Sequence, residues 1–226
     1  MKYLLFLILL IGLHVPLMVA QALPDGYILQ YSQNFSSNKG IQDFSFSYPS
    51  VWVITRLQGN YFLQSTPQAP GDFRSISPPP NRAILKNRVF GDFVLEADVM
   101  PMPGEAPQEI CLFLGLKDST RYYFVLLSTD PASDLPGIYL VKNSVCSKLT
   151  VRSHSPGALK TNTWQKIRIE RNIVKRTIRV FTGTPAQMVM EVTDYELVMG
   201  SLGFGSLYSA ARFDNLSVWA PTMIVE

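Results

Sequence analysis

Four carboxylates are the candidates for acid–base chemistry in this sequence. Glu96 and Asp98 lie two residues apart in FVLEADVM, Glu109 precedes ICLFLGLKD, and Asp118 ends that segment. A retaining glycosidase needs two carboxyl groups about 5 Å apart, one as the nucleophile and one as the acid and base. Spacing along the chain does not show whether carboxylates from separate strands meet. These four residues therefore form the pool of catalytic candidates.

A compact polar turn offers ligand binding without catalysis. The segment KDSTRYY brings Asp118, Arg121 and Tyr122 together, and they could present a carboxylate, a guanidinium and an aromatic ring to a sugar. A plain hairpin turn is the simpler interpretation, because Asp and Ser favour turns through local hydrogen bonds. Tyr208, in the loop before the last predicted strand, is a second exposed aromatic candidate.

Hydrophobic residues alternate with polar ones along most of the chain, which predicts β-strands. FVLEADVM is followed by ICLFLGLK, RYYFVLLST, GIYLVKN and CSKLTV, with short turns rich in Asp, Ser and Pro between them. This order is typical of an antiparallel meander. Strands with one buried face require a second layer, so the sequence predicts an all-β sandwich of two antiparallel sheets.

A charged hairpin and a long proline-rich loop are two further features of the sequence. In TWQKIRIERN and KRTIRVFTG the isoleucines face one way, and the basic residues form a stripe. The stripe is interpreted as a solvated outer face, and contact with an anionic polysaccharide is the alternative. The stripe consists of Lys166, Arg168, Lys175 and Arg179. The proline-rich segment from Ser65 to Arg82 cannot join a sheet interior and is predicted to be a surface loop.

The glycine-rich segment GSLGFGS raises the possibility of nucleotide binding. A phosphate-binding glycine loop must open a helix, because helix N-terminal amides hold the phosphate. Here the next element is another strand pattern, ARFDNLSVWA, so a nucleotide site is excluded. Gly200, Gly203 and Gly205 are instead predicted to allow close backbone approach in a curved sheet.

The first 22 residues have the features of a signal peptide. Lys2 supplies the positive charge, YLLFLILLIGL the apolar centre, and AQA ending at Ala22 the cleavage site. Residues 23–226 are then predicted to form one domain that is secreted or periplasmic. No other segment is apolar for long enough to span a membrane. The formal net charge of +3 is too weak for a dedicated nucleic-acid binder.

Cysteine and histidine usage argues against a disulfide and against zinc. Cys111 and Cys146 lie at opposite ends of the predicted meander, beyond the distance that a disulfide spans, so two buried free thiols are expected. His154 stands alone in a Ser/Pro/Gly loop, and the chain has no C-x-x-C pair. No cofactor is required by these residues.

The order of the segments resembles the concanavalin A-like lectin/glucanase superfamily over about residues 27–220. The strongest matches are WQKIRIER and the pattern G-x-x-G-F followed by F-D-N-L-x-V. Within the superfamily the chain is most similar to bacterial domains of the 3-keto-disaccharide hydrolase type, often labelled family 16 glycoside hydrolases. The resemblance implies a jelly-roll sandwich with one concave face, on which relatives bind or cut glycans.

The residues depart from the catalytic patterns of these relatives. Laminarinase-like members carry E-x-D-x-x-E; Glu96 and Asp98 match its first two acids, but Pro101 takes the third position. The NSG and central acidic segments of the 3-keto-disaccharide hydrolase type are absent, and only Glu109 lies near the expected place. Glu96 and Asp98 are therefore interpreted as ordinary residues on the solvent side of a strand.

The resemblance also implies a possible structural calcium ion. Several such sandwiches hold calcium with an aspartate of the last strand, which here is Asp214, and Asn215 and Asn34 could add oxygens. Calcium requires six to eight oxygen ligands. The alternative is that Asp214 accepts hydrogen bonds or pairs with Arg212.

Three functions remain open on the sequence alone. The first is an exported carbohydrate-binding module without catalysis. The second is a glycoside hydrolase of the same fold that uses carboxylates from separate strands. The third is an exported module that binds another protein. Carbohydrate is the expected partner of the first two, and nucleic acid is not expected in any.

Overall fold

The structure, a computed structural model, describes residues 22–67, 79–150 and 158–222. Within these ranges the chain forms 15 β-strands and no α-helix. The strands in chain order are β1 (Tyr27–Gln33), β2 (Phe44–Phe46), β3 (Trp52–Leu57), β4 (Asn60–Ser65), β5 (Asn81–Leu85), β6 (Phe93–Pro101), β7 (Glu109–Asp118), β8 (Arg121–Ser128), β9 (Gly137–Lys142), β10 (Val145–Lys148), β11 (Gln165–Asn172), β12 (Thr177–Thr182), β13 (Gln187–Thr193), β14 (Ser201–Ser206) and β15 (Ala211–Pro221). Two short 3-10 turns cover Asn38–Asp43 and Pro49–Val51.

Some predictions concern residues outside the described ranges. Residues 1–21 of the predicted signal peptide lie outside the described ranges, and so do His154 and residues 68–78 of the proline-rich loop. No helix in the described ranges is long and apolar enough to cross a membrane.

The strands form two antiparallel sheets, which confirms the predicted all-β sandwich. The first sheet has eight strands in the order β13-β12-β11-β6-β15-β4-β3, and β1 also pairs with β15. The second sheet has seven strands in the order β10-β9-β8-β7-β14-β5-β2. β7 to β10 are consecutive in sequence and adjacent in space, as expected for a meander. The preceding segment FVLEADVM, which the sequence places in the same meander, forms β6 in the first sheet, so that part of the prediction is wrong.

The main core lies between the two sheets. Along β6 the alternate residues from Phe93 to Val99 are at most 1% exposed and face the second sheet, as their spacing predicts. Phe204 of the second sheet stacks on Phe213 of the first, with ring centroids 4.5 Å apart. Trp52 packs against both rings, so aromatic contacts join the sheets at this point.

The outer face of the second sheet carries a separate hydrophobic cluster, which we call the outer aromatic cluster. Its members are buried although they point away from the main core, and they are Cys111, Phe113, Tyr122, Phe124, Leu126, Tyr139, Val141 and Leu207. Phe124 and Tyr139 stack almost in parallel with centroids 4.8 Å apart. Burial on both faces explains why the sequences of β7 and β8 are nearly continuous apolar runs.

Two burial predictions are wrong. Arg168, predicted to lie on a solvated face, is only 3% exposed, because its guanidinium donates to Glu96 (2.9 Å), Glu170 (2.9 Å) and the Ala22 carbonyl (3.3 Å). Cys146, predicted to be buried, is half-buried, since β10 is the edge strand of its sheet. Both cysteines are free thiols, as predicted.

The glycines of GSLGFGS allow close backbone approach, as the sequence predicts. A Cβ atom on Gly200 would lie 2.2 Å from the Gly115 carbonyl carbon, and one on Gly205 would lie 1.8 Å from the Asn81 carbonyl oxygen. These contacts are with backbone atoms, which cannot rotate away. The glycines therefore allow close packing in β14 and at the residue that precedes it.

Candidate functional site: a cleft at one end of the sandwich

Several chain segments cross from one sheet to the other at the same end of the sandwich, which we call the cleft end. Among them are the connections from β4 to β5, from β6 to β7 and from β14 to β15. Packed sheets lie about 10 Å apart, so each crossover must pass over the end of the core. The Met102 amide donates to the Ala210 carbonyl (3.0 Å), which ties two of these segments together.

The crossovers enclose an open cleft of about 360 Å³, which we call the rim cleft. It is lined by Pro67, residues 103–108 and residues 208–210. Most of the wall is apolar and comes from prolines, alanines and the ring of Tyr208, while Ser209 and Glu105 contribute polar atoms. Mostly apolar concave sites with a few placed polar groups are typical of small-molecule binding.

A buried carboxyl lies directly behind this wall. Glu109 is 4% exposed, and its Oε2 accepts a hydrogen bond of 2.7 Å from the Ser209 hydroxyl. The backbone amide of Glu109 donates to the same hydroxyl at 3.0 Å. Burial raises the pKa of Glu109 above its ordinary value, and the Ser209 hydrogen bond partly offsets that rise. Of the four carboxylate candidates, Glu109 is the one next to the rim cleft.

Tyr208 and Tyr122 differ in exposure. Tyr208 lines the rim cleft and is partly exposed, and its side chain also packs against the outer aromatic cluster. Tyr122 belongs to the outer aromatic cluster and is fully buried, so its predicted role as an exposed sugar platform is wrong. Its hydroxyl accepts a 3.4 Å hydrogen bond from Arg82, whose guanidinium also lies 5.6 Å from the ring centre, and burial raises the pKa of Tyr122 to about 12.

Asp118 and Arg121 lie far from the rim cleft. They close the β7–β8 turn with an ion pair of 2.6 Å, at the opposite end of the ten-residue strand that begins with Glu109. The rise per residue places the two ends of this strand about 30 Å apart. Hydrogen bonds from Thr120 and then from Arg121 lower the pKa of Asp118 to about 2. These contacts are those of a self-contained hairpin turn.

Glu96 and Asp98 lie on the outer face of the first sheet. Asp98 pairs with Lys166 at 3.0 Å, and Glu96 pairs with Arg168 at 2.9 Å. The four catalytic candidates thus occupy three separate places, on two different sheets. None of the other three joins Glu109 at the rim cleft.

Asp214 is buried at a bulge in β15. Its two carboxylate oxygens accept hydrogen bonds from the Asn60 side-chain amide (2.8 Å) and the Asn215 backbone amide (2.7 Å). Asn215 also donates to Asp98 at 2.8 Å. Burial raises the pKa of Asp214.

These surroundings do not fit a calcium site well, because calcium requires six to eight oxygen ligands. Amide nitrogens already approach both oxygens of Asp214, and the ammonium of Lys166 pairs with the neighbouring Asp98. Asn34 and Asn215 line one groove. The described residues contain no group of three or more acidic, His or Cys side chains suited to a metal ion. Calcium at Asp214 stays a prediction.

The sequence singles out Tyr208 and Glu109 as separate candidates and does not place them together. Sequence reasoning missed Ser209, which joins them, and the proline-rich wall at residues 103–107. The available signal was the sequence PMPGEAP, whose prolines and glycine lie between two strong strand patterns. A loop of this composition between sheets is where binding residues often lie.

No protein-family model matches the sequence, and no curated protein matches it either. Solved structures do match the fold. The carbohydrate-binding module CBM66 from Bacillus subtilis has a TM-score of 0.58 at 14% identity, over 78% of this chain and 94% of the module. Lectin I from Ulex europaeus, solved with the methyl glycoside of α-L-fucose, has a TM-score of 0.54 at 12% identity, over 86% of this chain and 98% of the lectin.

A protein of unknown function with a galectin-like fold from Bacillus subtilis has a TM-score of 0.56 at 12% identity, over 86% of this chain and 99% of that chain. At such low identity these similarities establish the fold and not the function.

Proposed function

We propose that this chain is an exported carbohydrate-binding β-sandwich that holds a sugar in the rim cleft against Tyr208. The observation that carries the proposal is the partly exposed Tyr208 ring in a mostly apolar cleft that also presents the exposed Glu105. The fold similarity to a carbohydrate-binding module and to a lectin solved with a sugar supports it. Export rests on the signal-peptide pattern of residues 1–22.

The chemistry of the cleft suits a sugar ring. Sugars have apolar C–H faces, which pack on aromatic rings and prolines, and hydroxyl edges, which require hydrogen-bonding partners. Tyr208 and the wall of Pro103 and Pro107 supply the first kind of contact. Glu105, exposed at the edge, supplies acceptors for the second. A tyrosine, with an apolar ring and a polar hydroxyl, is well suited to such a mixed surface.

The Tyr208→Ala variant is expected to bind the glycan about tenfold more weakly, because it loses one aromatic contact and the area that the ring covers. The glycan is first identified on a broad glycan array with the unaltered chain, and affinity is then measured by calorimetry in calcium and in chelator. Tyr195→Ala is the matched control, since Tyr195 is exposed on the opposite end of the sandwich. Absence of any glycan binding, or equal loss in both variants, would contradict the proposal.

Glycoside hydrolysis remains the alternative, and Glu109 favours it. A carboxyl whose pKa is raised by burial is the usual form of a general acid in glycosidases. Product analysis on any glycan that binds separates the two functions. Cleavage that Glu109→Gln abolishes would make the protein a hydrolase, whereas intact glycan after long incubation supports the binding module. Under this alternative, the chain would also be most similar to domains of the 3-keto-disaccharide hydrolase type.

Glu109→Gln is expected to stabilise the fold at neutral pH. Glutamine keeps an oxygen that accepts the Ser209 hydrogen bond and removes a charge that burial disfavours. The pKa of Glu109 is raised in the folded chain, so the unfolded chain releases this proton first as the pH rises. The contribution of Glu109 to the free energy of unfolding should therefore fall from about pH 4, near the ordinary glutamate pKa, until Glu109 ionises in the folded state.

Urea unfolding of both chains between pH 4 and pH 8 tests this expectation. The advantage of the glutamine variant should be smallest at the acidic end and should grow toward neutral pH. If the glutamate were instead the more stable form at neutral pH, its surroundings would stabilise the ionised carboxylate, and the expected direction of the effect would be wrong.

A further inference from the structure

The end of the sandwich opposite the rim cleft carries the most exposed large hydrophobic side chains of the described residues. Val174 is 86% exposed, and Val145 and Tyr195 are each 66% exposed. They lie on three different turns, between β11 and β12, at the start of β10, and between β13 and β14. Val89, Val198 and Met199 add further exposed apolar surface at this end. We call this surface the apolar tip.

Contacts between the turns make the apolar tip one continuous surface. The Arg176 guanidinium lies 4.9 Å from the centre of the Tyr195 ring, and the Asp194 amide donates to the Arg176 carbonyl at 2.8 Å. Lys142, at the end of β9, pairs with Glu196 at 2.7 Å. The segment that carries Val89 joins the same end through the bridge between residues 90 and 200. These contacts link the segments that carry the exposed side chains.

The charge around the apolar tip is predominantly positive. The basic side chains at this end are Lys86, Arg88, Lys117, Arg121, Lys142, Lys175 and Arg176. The acidic side chains at the same end are fewer. Asp43, beside Lys86, accepts hydrogen bonds from Tyr31 (2.9 Å) and Gln33 (3.0 Å). Asp118 pairs with Arg121, Glu196 pairs with Lys142, and Asp194 accepts a hydrogen bond from the Tyr123 hydroxyl. Asp92 accepts a hydrogen bond from the Ile173 amide.

We propose that the apolar tip docks on the surface of a bilayer that contains anionic phospholipids. Val174 and Val145 would enter the boundary between head groups and acyl chains, and Tyr195 would lie at the head-group level, where aromatic rings are enriched. Lys175 and Arg176 directly follow Val174 in sequence and would approach the lipid phosphates.

The apolar side chains favour a lipid surface over an anionic polysaccharide. A polysaccharide would satisfy the basic residues but would leave Val174 and Val145 in water. A bilayer interface accommodates both groups at once, because apolar side chains leave water there while cations remain beside phosphates. This proposal does not depend on carbohydrate binding, which uses the other end of the sandwich.

Vesicle co-sedimentation tests the proposal with the full chain. Vesicles of phosphatidylcholine alone are compared with vesicles that also contain phosphatidylglycerol. We expect binding to the anionic vesicles only, with a decrease as salt is added. Lys175→Glu changes the surface charge by two units and should reduce partitioning by roughly thirtyfold. Val174→Asp should reduce it by about tenfold.

Two control variants locate the effect. Val53→Asp places the same charge on an exposed valine of β3, away from the apolar tip, and should bind vesicles like the unaltered chain. Tyr208→Ala should also leave vesicle binding unchanged. Thermal unfolding of each variant confirms that it is folded.

Three results would overturn the proposal. The first is absence of binding to anionic vesicles. The second is equal binding to both vesicle types that Lys175→Glu does not alter. The third is a dimer in solution that Val174→Asp dissociates, because a second copy would then be what covers the apolar tip.

Discussion

Replacing Arg171 with alanine is expected to lower the free energy of unfolding by about 3–5 kcal/mol. Arg171 is on the core-facing side of β11 and is 3% exposed. Its guanidinium donates to the carbonyl of Asp194 at 2.9 Å and to that of Leu197 at 3.2 Å. Alanine would leave both carbonyls without this partner and would open a cavity between the sheets.

Arg171 matters because it joins the two sheets through a polar network. Its guanidinium lies 5.7 Å from the ring centre of Tyr123, which is on β8 in the opposite sheet. The Tyr123 hydroxyl donates to the Asp194 carboxylate and accepts a hydrogen bond of 2.9 Å from the Leu197 amide. Buried networks of this kind lose more than one bond when one member is removed, because the remaining groups stay desolvated.

Arg179→Ala is the matched control for this experiment. Arg179 is on the neighbouring strand β12 and pairs with Glu191 at 2.8 Å, but its side chain is 39% exposed. Surface pairs of this kind contribute at most about 1 kcal/mol. Urea unfolding measures how much each of the two substitutions lowers the free energy of unfolding. Similar small losses in both would show that the network around Arg171 does not stabilise the fold.

The sequence predicted the sheets well because their physical signal is local. Alternation along β6 placed Leu95 and Ala97 toward the core, and the structure confirms both. The same spacing places Arg171 on the core side with Ile167 and Ile169, but alternation alone cannot show what would satisfy a buried guanidinium. Its partners are carbonyls in a loop more than twenty residues away. Hydrogen-bond partners that are this distant along the chain leave no pattern in the sequence around Arg171.

The candidate site was less predictable because crossovers build it. Pro67, Pro103 and Tyr208 are distant in sequence and meet only because three connections pass over the same end of the core.

For Tyr122 the sequence suggested an exposed side chain, and this prediction was wrong. Its place next to a polar turn suggested exposure, but its side chain points onto the outer aromatic cluster and is buried. The local composition correctly indicated a turn, but it did not reveal the outer aromatic cluster that buries Tyr122.

Gly205→Ala is expected to destabilise the fold by about 3 kcal/mol, at the upper end of the usual cost of overpacking. The added methyl group would lie 1.8 Å from the Asn81 carbonyl oxygen and 3.2 Å from a ring carbon of Phe113. The carbonyl belongs to β5, which pairs with β14 at this point. Relief of the clash therefore requires the two strands to separate, and this would also displace the connection to Tyr208 in the rim cleft.

Gly59→Ala distinguishes close packing from backbone strain. Gly59 has a φ of +89°, and a Cβ atom there would have no neighbour within 4 Å, so its substitution costs only the left-handed conformation, about 1–2 kcal/mol. Urea unfolding should rank Gly205→Ala as clearly the more damaging change, and calorimetry should show weaker glycan binding in that variant alone. If both variants were equally stable and bound glycan equally, β14 would tolerate a side chain at position 205. The glycine pattern would then need an explanation other than strand packing.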